Sequence, residues 1–114
     1  SHCDLSVLSR VELKRELLDS KKYLSRVLGK EIQEICLPIG YFSDILIEEI
    51  KKYNYKEIYS STWGAYDDLI LGCMRSRNLC QFASPFELKL ILRGGYDVLR
   101  NRDIKMHYNK NVFR

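Results

Sequence analysis

Apolar residues first recur at helical spacing: Leu13, Leu17, Leu24, Val27 and Leu28 fall along one side of a helix predicted over Arg10–Leu28. Ser9-Arg10-Val11-Glu12 opens it as a capping box, in which the serine hydroxyl accepts from the amide three residues on and the glutamate reaches back. Gly29 supplies the left-handed residue that ends it, and Arg15 and Asp19 stand four apart, where they can pair. The pattern then shortens. Ile32, Ile35, Cys36 and Leu37 predict a buried strand over Ile32–Leu37, which stops at Pro38-Ile39-Gly40.

Ser43 and Asp44 offer an N-cap for a second helix, Asp44–Tyr53, with Ile45, Leu46, Ile50 and Tyr53 on one side and Lys51 and Lys52 in the last turn. Asn54 can take the left-handed position after it, and Lys56–Ser61 reads as a second strand rich in β-formers. Helix, strand, helix, strand in that order predicts an α/β fold with a parallel sheet and crossover helices. Leu69–Leu71 is expected as a further short strand, and residues 72–82 as loop with one extended turn. Ser84-Pro85-Phe86-Glu87 is a second capping box with proline at the first helical position, predicting a helix to Arg93 that Gly94 and Gly95 stop. A last, more polar helix is expected over Tyr96–Met106, so the carboxyl end is the more helical part. At 114 residues the chain is read as a single domain, 1–114.

Composition narrows the function classes. Hydrophobic content of 46% with 30% charged residues fits a folded, soluble chain rather than a disordered one, and no apolar run approaches the roughly 20 residues of a membrane span. No basic segment followed by an apolar one begins the sequence, so no signal peptide is expected. The net charge of +4 is uneven: residues 89–114 carry +5, leaving −1 for the first 88. In that tail Arg100, Arg102, Lys105, Lys110 and Arg114 interleave with Tyr96, Tyr108 and Phe113, the charge and stacking groups a single-strand binder uses. A solvated helix face accounts for the same letters, so nucleic acid is not the expected partner. Cys3, Cys36, Cys73 and Cys80 show no C-x-x-C spacing, and Cys36 falls inside the expected buried strand. They read as reduced thiols, which leans toward the cytoplasm, although Cys73 and Cys80 could pair in an exported chain; the compartment stays open.

The stretch Ile32–Asp44 is strand, loop, helix, and in α/β sheets and barrels ligands bind at the loops after the carboxyl ends of strands. Pro38 and Gly40 would hold such a loop in a fixed shape close to a ligand. Trp63, in the loop after the second strand, is expected on the same rim, either as a site aromatic or packed over the sheet end.

Three segments together resemble the polysaccharide deacetylase family, built on the nodulation-protein deacetylase domain. Ser1-His2-Cys3-Asp4-Leu5-Ser6 is similar to the end of its H-x-x-x-H metal motif. The stretch Glu16-Leu17-Leu18-Asp19-Ser20-Lys21-Lys22-Tyr23-Leu24 with Leu28-Gly29-Lys30 resembles its E-L-x-x-S-K-x-x-L-E-x-x-L-G-K helix, and Ile35-Cys36-Leu37-Pro38-Ile39-Gly40-Tyr41 its F-x-x-P-x-G-x-Y segment. Tyr53-Asn54-Tyr55-Lys56 stands where that family usually has Gly-Tyr. The likeness covers about residues 1–66 and implies the carboxyl-terminal portion of a distorted (β/α) barrel, since a complete one takes about 250 residues.

The resemblance implies hydrolysis of N-acetyl groups on a polysaccharide by a divalent metal, usually zinc, held by one aspartate and two histidines. It casts His2 as the second metal histidine, the Ile39 backbone N–H as oxyanion donor, and Pro38, Gly40, Tyr41 and Trp63 as substrate-facing. The family's paired aspartates and first histidine have no counterpart here. Many members also carry arginine where Cys36 stands and tyrosine where Ile39 stands, and the late Leu-x-His motif has only Ile104-Lys105-Met106-His107 as a candidate. Alone, then, the chain is expected to be inactive. The other reading is a noncatalytic α/β interaction module that covers an open sheet edge with a partner chain or a second copy.

Overall fold

The computed structural model describes residues 2–62, 64, 69–78, 80–95 and 99–108. After a 3-10 turn at Leu5–Val7, one continuous helix is built from α1 (Arg10–Lys14), a π-helical stretch (Arg15–Asp19) and α2 (Ser20–Leu28). There follow β1 (Glu34–Cys36), α3 (Asp44–Lys52), β2 (Glu57–Tyr59), β3 (Met74–Arg75), α4 (Pro85–Leu92) and α5 (Arg100–His107). The strands form one parallel sheet in the order β1-β2-β3, so the α/β prediction holds. Both capping boxes are present, Ser9 with Glu12 and Ser84 with Glu87, and Ser43 caps α3 by accepting from the Leu46 amide.

The core lies between the long helix, α3 and one face of the sheet. Leu13, Leu17, Phe42, Ile45, Leu46 and Ile50 are buried in it. The register aligns Ile35 with Ile58 and Ile58 with Met74, so the sheet presents one apolar row to these helices. On the opposite face stand Glu34 with Glu57 and Cys36 with Tyr59 and Arg75, of which Glu34 and Cys36 are exposed. Cys36 is therefore not buried as its apolar neighbours suggested, because it alternates onto the uncovered side. Arg75 Nε donates to Glu57 at 2.6 Å across that face and holds the Glu57 carboxyl below its usual range.

The π-helical stretch explains a second departure. The sequence pattern predicts that Leu24, Val27 and Leu28 continue the buried stripe, yet they are 44, 61 and 56% exposed. A π turn is wound with more residues than an α turn, so positions four apart come onto one face. The stripe that meets the core is therefore Leu13, Leu17, Lys21 and Ser25, the first three buried and Ser25 half-buried. Lys21, carried inward, donates from Nζ to the carbonyls of Tyr53 (2.9 Å) and Asn54 (3.0 Å), beyond the last turn of α3, and lies 4.9 Å from the Tyr55 ring. A lysine there neutralises carbonyls a helix end leaves without partners.

Smaller differences concern boundaries. The first two strands are shorter than predicted, and Arg15 pairs with Glu16 at 3.9 Å rather than with Asp19. Leu69–Leu71 is not a strand: Ile70 and Met74 exchange backbone hydrogen bonds around a turn with Leu71 (φ 49°) and Gly72 (φ 69°) at positive φ, and the third strand begins after it. The last helix starts at Arg100, and the predicted positions Tyr96, Asp97 and Val98 lie outside the described residues. Cys36, Cys73 and Cys80 are free thiols, and among the described residues no helix is long and apolar enough to cross a membrane.

Between the first helix and α3 sits a buried carboxylate, Glu49. Arg10 spans Glu49 and Glu48 with two 2.7 Å contacts, and Lys52 reaches Glu49 at 3.4 Å. Burial alone would lift the Glu49 pKa, but hydrogen bonding with Arg10, Tyr53 and Lys52 outweighs it and holds the carboxyl below its usual range. A folded-state pKa below the unfolded one gives stability that is present above the unfolded pKa and lost as pH falls through the folded value. Thermal stability is accordingly expected to drop below about pH 4.5. Glu49→Gln should be less stable at pH 7 and show a shallower acid slope in melting curves; an unchanged slope would show that Glu49 is not coupled to folding.

Candidate functional site

The carboxyl ends of the three strands meet on one rim. The backbone ladder runs past the strands themselves, with Leu37 N–H to Tyr59 O, Ser60 N–H to Arg75 O and Arg77 N–H to Thr62 O. This sets the Pro38 loop, residues 60–62 and residues 76–78 side by side. Arg77 locks two of them: its Nε donates to Ser60 O at 2.6 Å and its guanidinium donates to the Ser61 hydroxyl at 3.1 Å. Asn78 exchanges hydrogen bonds with the Gly64 backbone at 3.1 and 3.3 Å.

The Pro38 loop is a tight turn. Gly40 N–H donates to Pro38 O at 2.6 Å around Ile39, whose φ is +62°. A three-residue turn with its central residue at positive φ is rare and strained, and a β-branched side chain makes it more so. Ile39 is 51% exposed, so apolar burial does not compensate the strain. Its backbone N–H has no hydrogen-bond partner among the described residues. Gly40 follows at φ +93° and touches the next loop so closely that a Cβ there would lie 2.5 Å from the Ser61 Cβ and 2.6 Å from its hydroxyl. The loop is thus wedged between the ends of β1 and β2.

Of the six residues singled out from sequence, four are neighbours in the chain and lie at the rim. Pro38, Ile39, Gly40 and Tyr41 form one continuous edge of the rim. Trp63 lies outside the described residues. His2 is exposed, near the start of the chain. His107 is brought beside the loop: its ring stacks at 5.4 Å on Tyr41, its carbonyl accepts from the Phe42 amide, and its Nδ1 lies 2.9 Å from the Asp103 carbonyl. Among the described residues no three His, Cys, Asp or Glu side chains converge as a metal-holding group.

Three rim residues went unnoticed in the sequence. Ser61 and Arg77 are the struts of the Gly40 contact. Thr62, fully buried, keeps a hydroxyl without a hydrogen-bond partner among the described residues at the end of β2. A buried polar atom left so is costly. The strand–loop boundary before Trp63 was the available signal for Thr62. Arg77 had none, since residues 72–82 show no period.

The Gly40 contact is testable against another glycine at positive φ that is not crowded. Gly72 has φ +69°, and a Cβ at that position would have open space for 4 Å around it, whereas one at Gly40 meets Ser61. Gly72→Ala should cost about 1 kcal/mol for the left-handed backbone alone, and Gly40→Ala clearly more, about 2–4 kcal/mol, in urea unfolding. Equal costs would show that Gly40 is not wedged. No protein-family model matches the sequence, and no curated protein matches it.

Proposed function

We propose that this chain is the carboxyl-terminal part of a metal-dependent polysaccharide N-deacetylase and that its Pro38–Tyr41 loop forms one wall of the catalytic cleft. The observation that carries the reading is the strained turn at the end of β1, with the Ile39 amide left without an acceptor among the described residues. Backbone strain held at an exposed position calls for a functional reason, and a fixed, unbonded N–H is what stabilises a developing oxyanion. Pro38, Gly40 and Tyr41 then border the acetamide and its sugar ring, with Trp63 as a further substrate-facing aromatic.

The sheet supports the partial-barrel side of this proposal. Parallel sheets normally have both faces covered, whereas here one face packs on helices and the other leaves Glu34 and Cys36 exposed. As an arc of a (β/α) barrel, that second face would turn inward and be filled by side chains of strands this sequence does not contain. On this reading His2 would be one ligand of the zinc, and the aspartates would come from the rest of the barrel. When bound, such an ion polarises the carbonyl and lowers the pKa of its water.

The test is to express residues 1–114 joined to the coding sequence that precedes Ser1, supply zinc, and measure acetate release from N-acetylglucosamine oligomers. Metal-dependent release by the joined protein and none by the 114-residue chain is the expected result. No release by the joined protein, or full turnover by the short chain, would overturn the reading.

A second reading, a noncatalytic module that pairs with a partner chain or itself, is favoured by α4. That helix, Pro-Phe-Glu-Leu-Lys-Leu-Ile-Leu, has no buried residue, with Phe86 75% and Leu92 78% exposed. A concentration-dependent rise in mass by light scattering, abolished by Phe86→Glu with Leu92→Glu, is expected on that reading; a strict monomer would remove it.

A further inference from the structure

A concavity opens where the Pro38 loop meets α5. It has a volume of about 250 Å³ and is lined by Asp4, Tyr41, Met106 and Tyr108. It is assembled from three distant parts of the sequence: the cap of the first 3-10 turn, the residue after Gly40, and the end of α5. Phe42 fixes it, because its amide donates to His107 O at 3.0 Å, it forms a parallel bridge with Tyr108, and its ring lies 5.6 Å from the Tyr108 ring. The cleft is therefore held by a buried phenylalanine, not by surface side chains alone.

Its chemistry is specific. Two phenol rings and a thioether supply carbon surface, and among the described residues the lining contains one carboxylate and no cationic side chain. Asp4 uses one oxygen, Oδ1, for both the Ser6 amide (2.9 Å) and the Ser6 hydroxyl (2.6 Å), which aims the group and leaves Oδ2 as an acceptor. A ligand that fits must offer a C–H face to aromatic rings and hydroxyl donors to a carboxylate, without negative charge. That describes a neutral pyranose. The volume lies below the roughly 300–1,000 Å³ of a pocket for a larger ligand, so it holds one ring of a longer chain.

We propose that the Asp4–Tyr41–Tyr108 cleft is a subsite for a single neutral sugar ring, adjoining the Pro38 loop and positioning the polysaccharide along the rim. This rests on the deacetylase reading for the identity of the polymer. It assigns Tyr108 and Asp4 a role in holding substrate that neither has in the resemblance, and it explains why α5 is docked onto the residue following Tyr41. Tyr41, whose ring also carries His107, then belongs to both places.

The experiment is calorimetric titration of the full chain with the N-acetylglucosamine trimer, with the glucosamine trimer in parallel. The intact chain should bind the acetylated trimer with little dependence on salt. Tyr108→Ala should weaken binding roughly tenfold, Tyr108→Phe should retain it, and Asp4→Asn, which keeps the cap, should weaken it severalfold. Should Tyr108→Ala fail to fold, Asp4→Asn decides. Binding that both variants leave unchanged would overturn the subsite while leaving the deacetylase reading standing. So would binding of the amine-bearing trimer alone that salt abolishes. Absence of any binding by the intact chain would also overturn the subsite, and the acetate-release assay would then judge the deacetylase reading separately.

Discussion

Burial of α3 is the constraint on which the other elements depend. Ile45, Leu46 and Ile50 are enclosed, the long helix packs along one flank, and the row Ile35, Ile58 and Met74 belongs to the same core. Each end of α3 is then tied to a neighbour. At its start, Ser43 caps the helix directly after Phe42, so the same few residues end the Pro38 loop and seat α5. Just beyond its end, Lys21 of the long helix holds the carbonyls of Tyr53 and Asn54. Move α3 and both the rim and the turn into β2 move with it.

The rim follows from that fixed helix. A loop between a short strand and a capped, buried helix has little slack, and the approach of Gly40 to Ser61 removes what remains. This is how a residue as ill suited to positive φ as Ile39 is kept there: the surroundings on both sides determine it. Asparagine or glycine would adopt the same backbone more easily. That an exposed isoleucine stands there instead shows that the turn is enforced by packing rather than by local preference.

Much of this was legible in the letters because it depends on short-range chemistry. Capping boxes at Ser9 and Ser84, Gly29 and Asn54 at helix ends, and the Pro38–Gly40 step all encode their conformation within a few residues. What the letters concealed depends on distant partners or on a single extra residue per turn. Leu24, Val27 and Leu28 keep a perfect helical period and are nonetheless outside, because the period restarts after Asp19. The pairing of Tyr108 with Phe42 joins residues whose proximity no spacing announces. The rim itself was half legible: its first strand end was marked, while the third, with Arg77, was hidden in a segment without pattern.

The π-helical stretch at Arg15–Asp19 absorbs one residue more than an α turn would, and so sets the phase of everything after it. Rewound to an ordinary α turn with its residues kept, the helix beyond would swing by about 100°. Lys21 would leave the carbonyls after α3, and Leu24 would turn toward the side Ser25 now occupies. The surplus residue thus works as a frame marker that chooses which side chains of the following segment face inward.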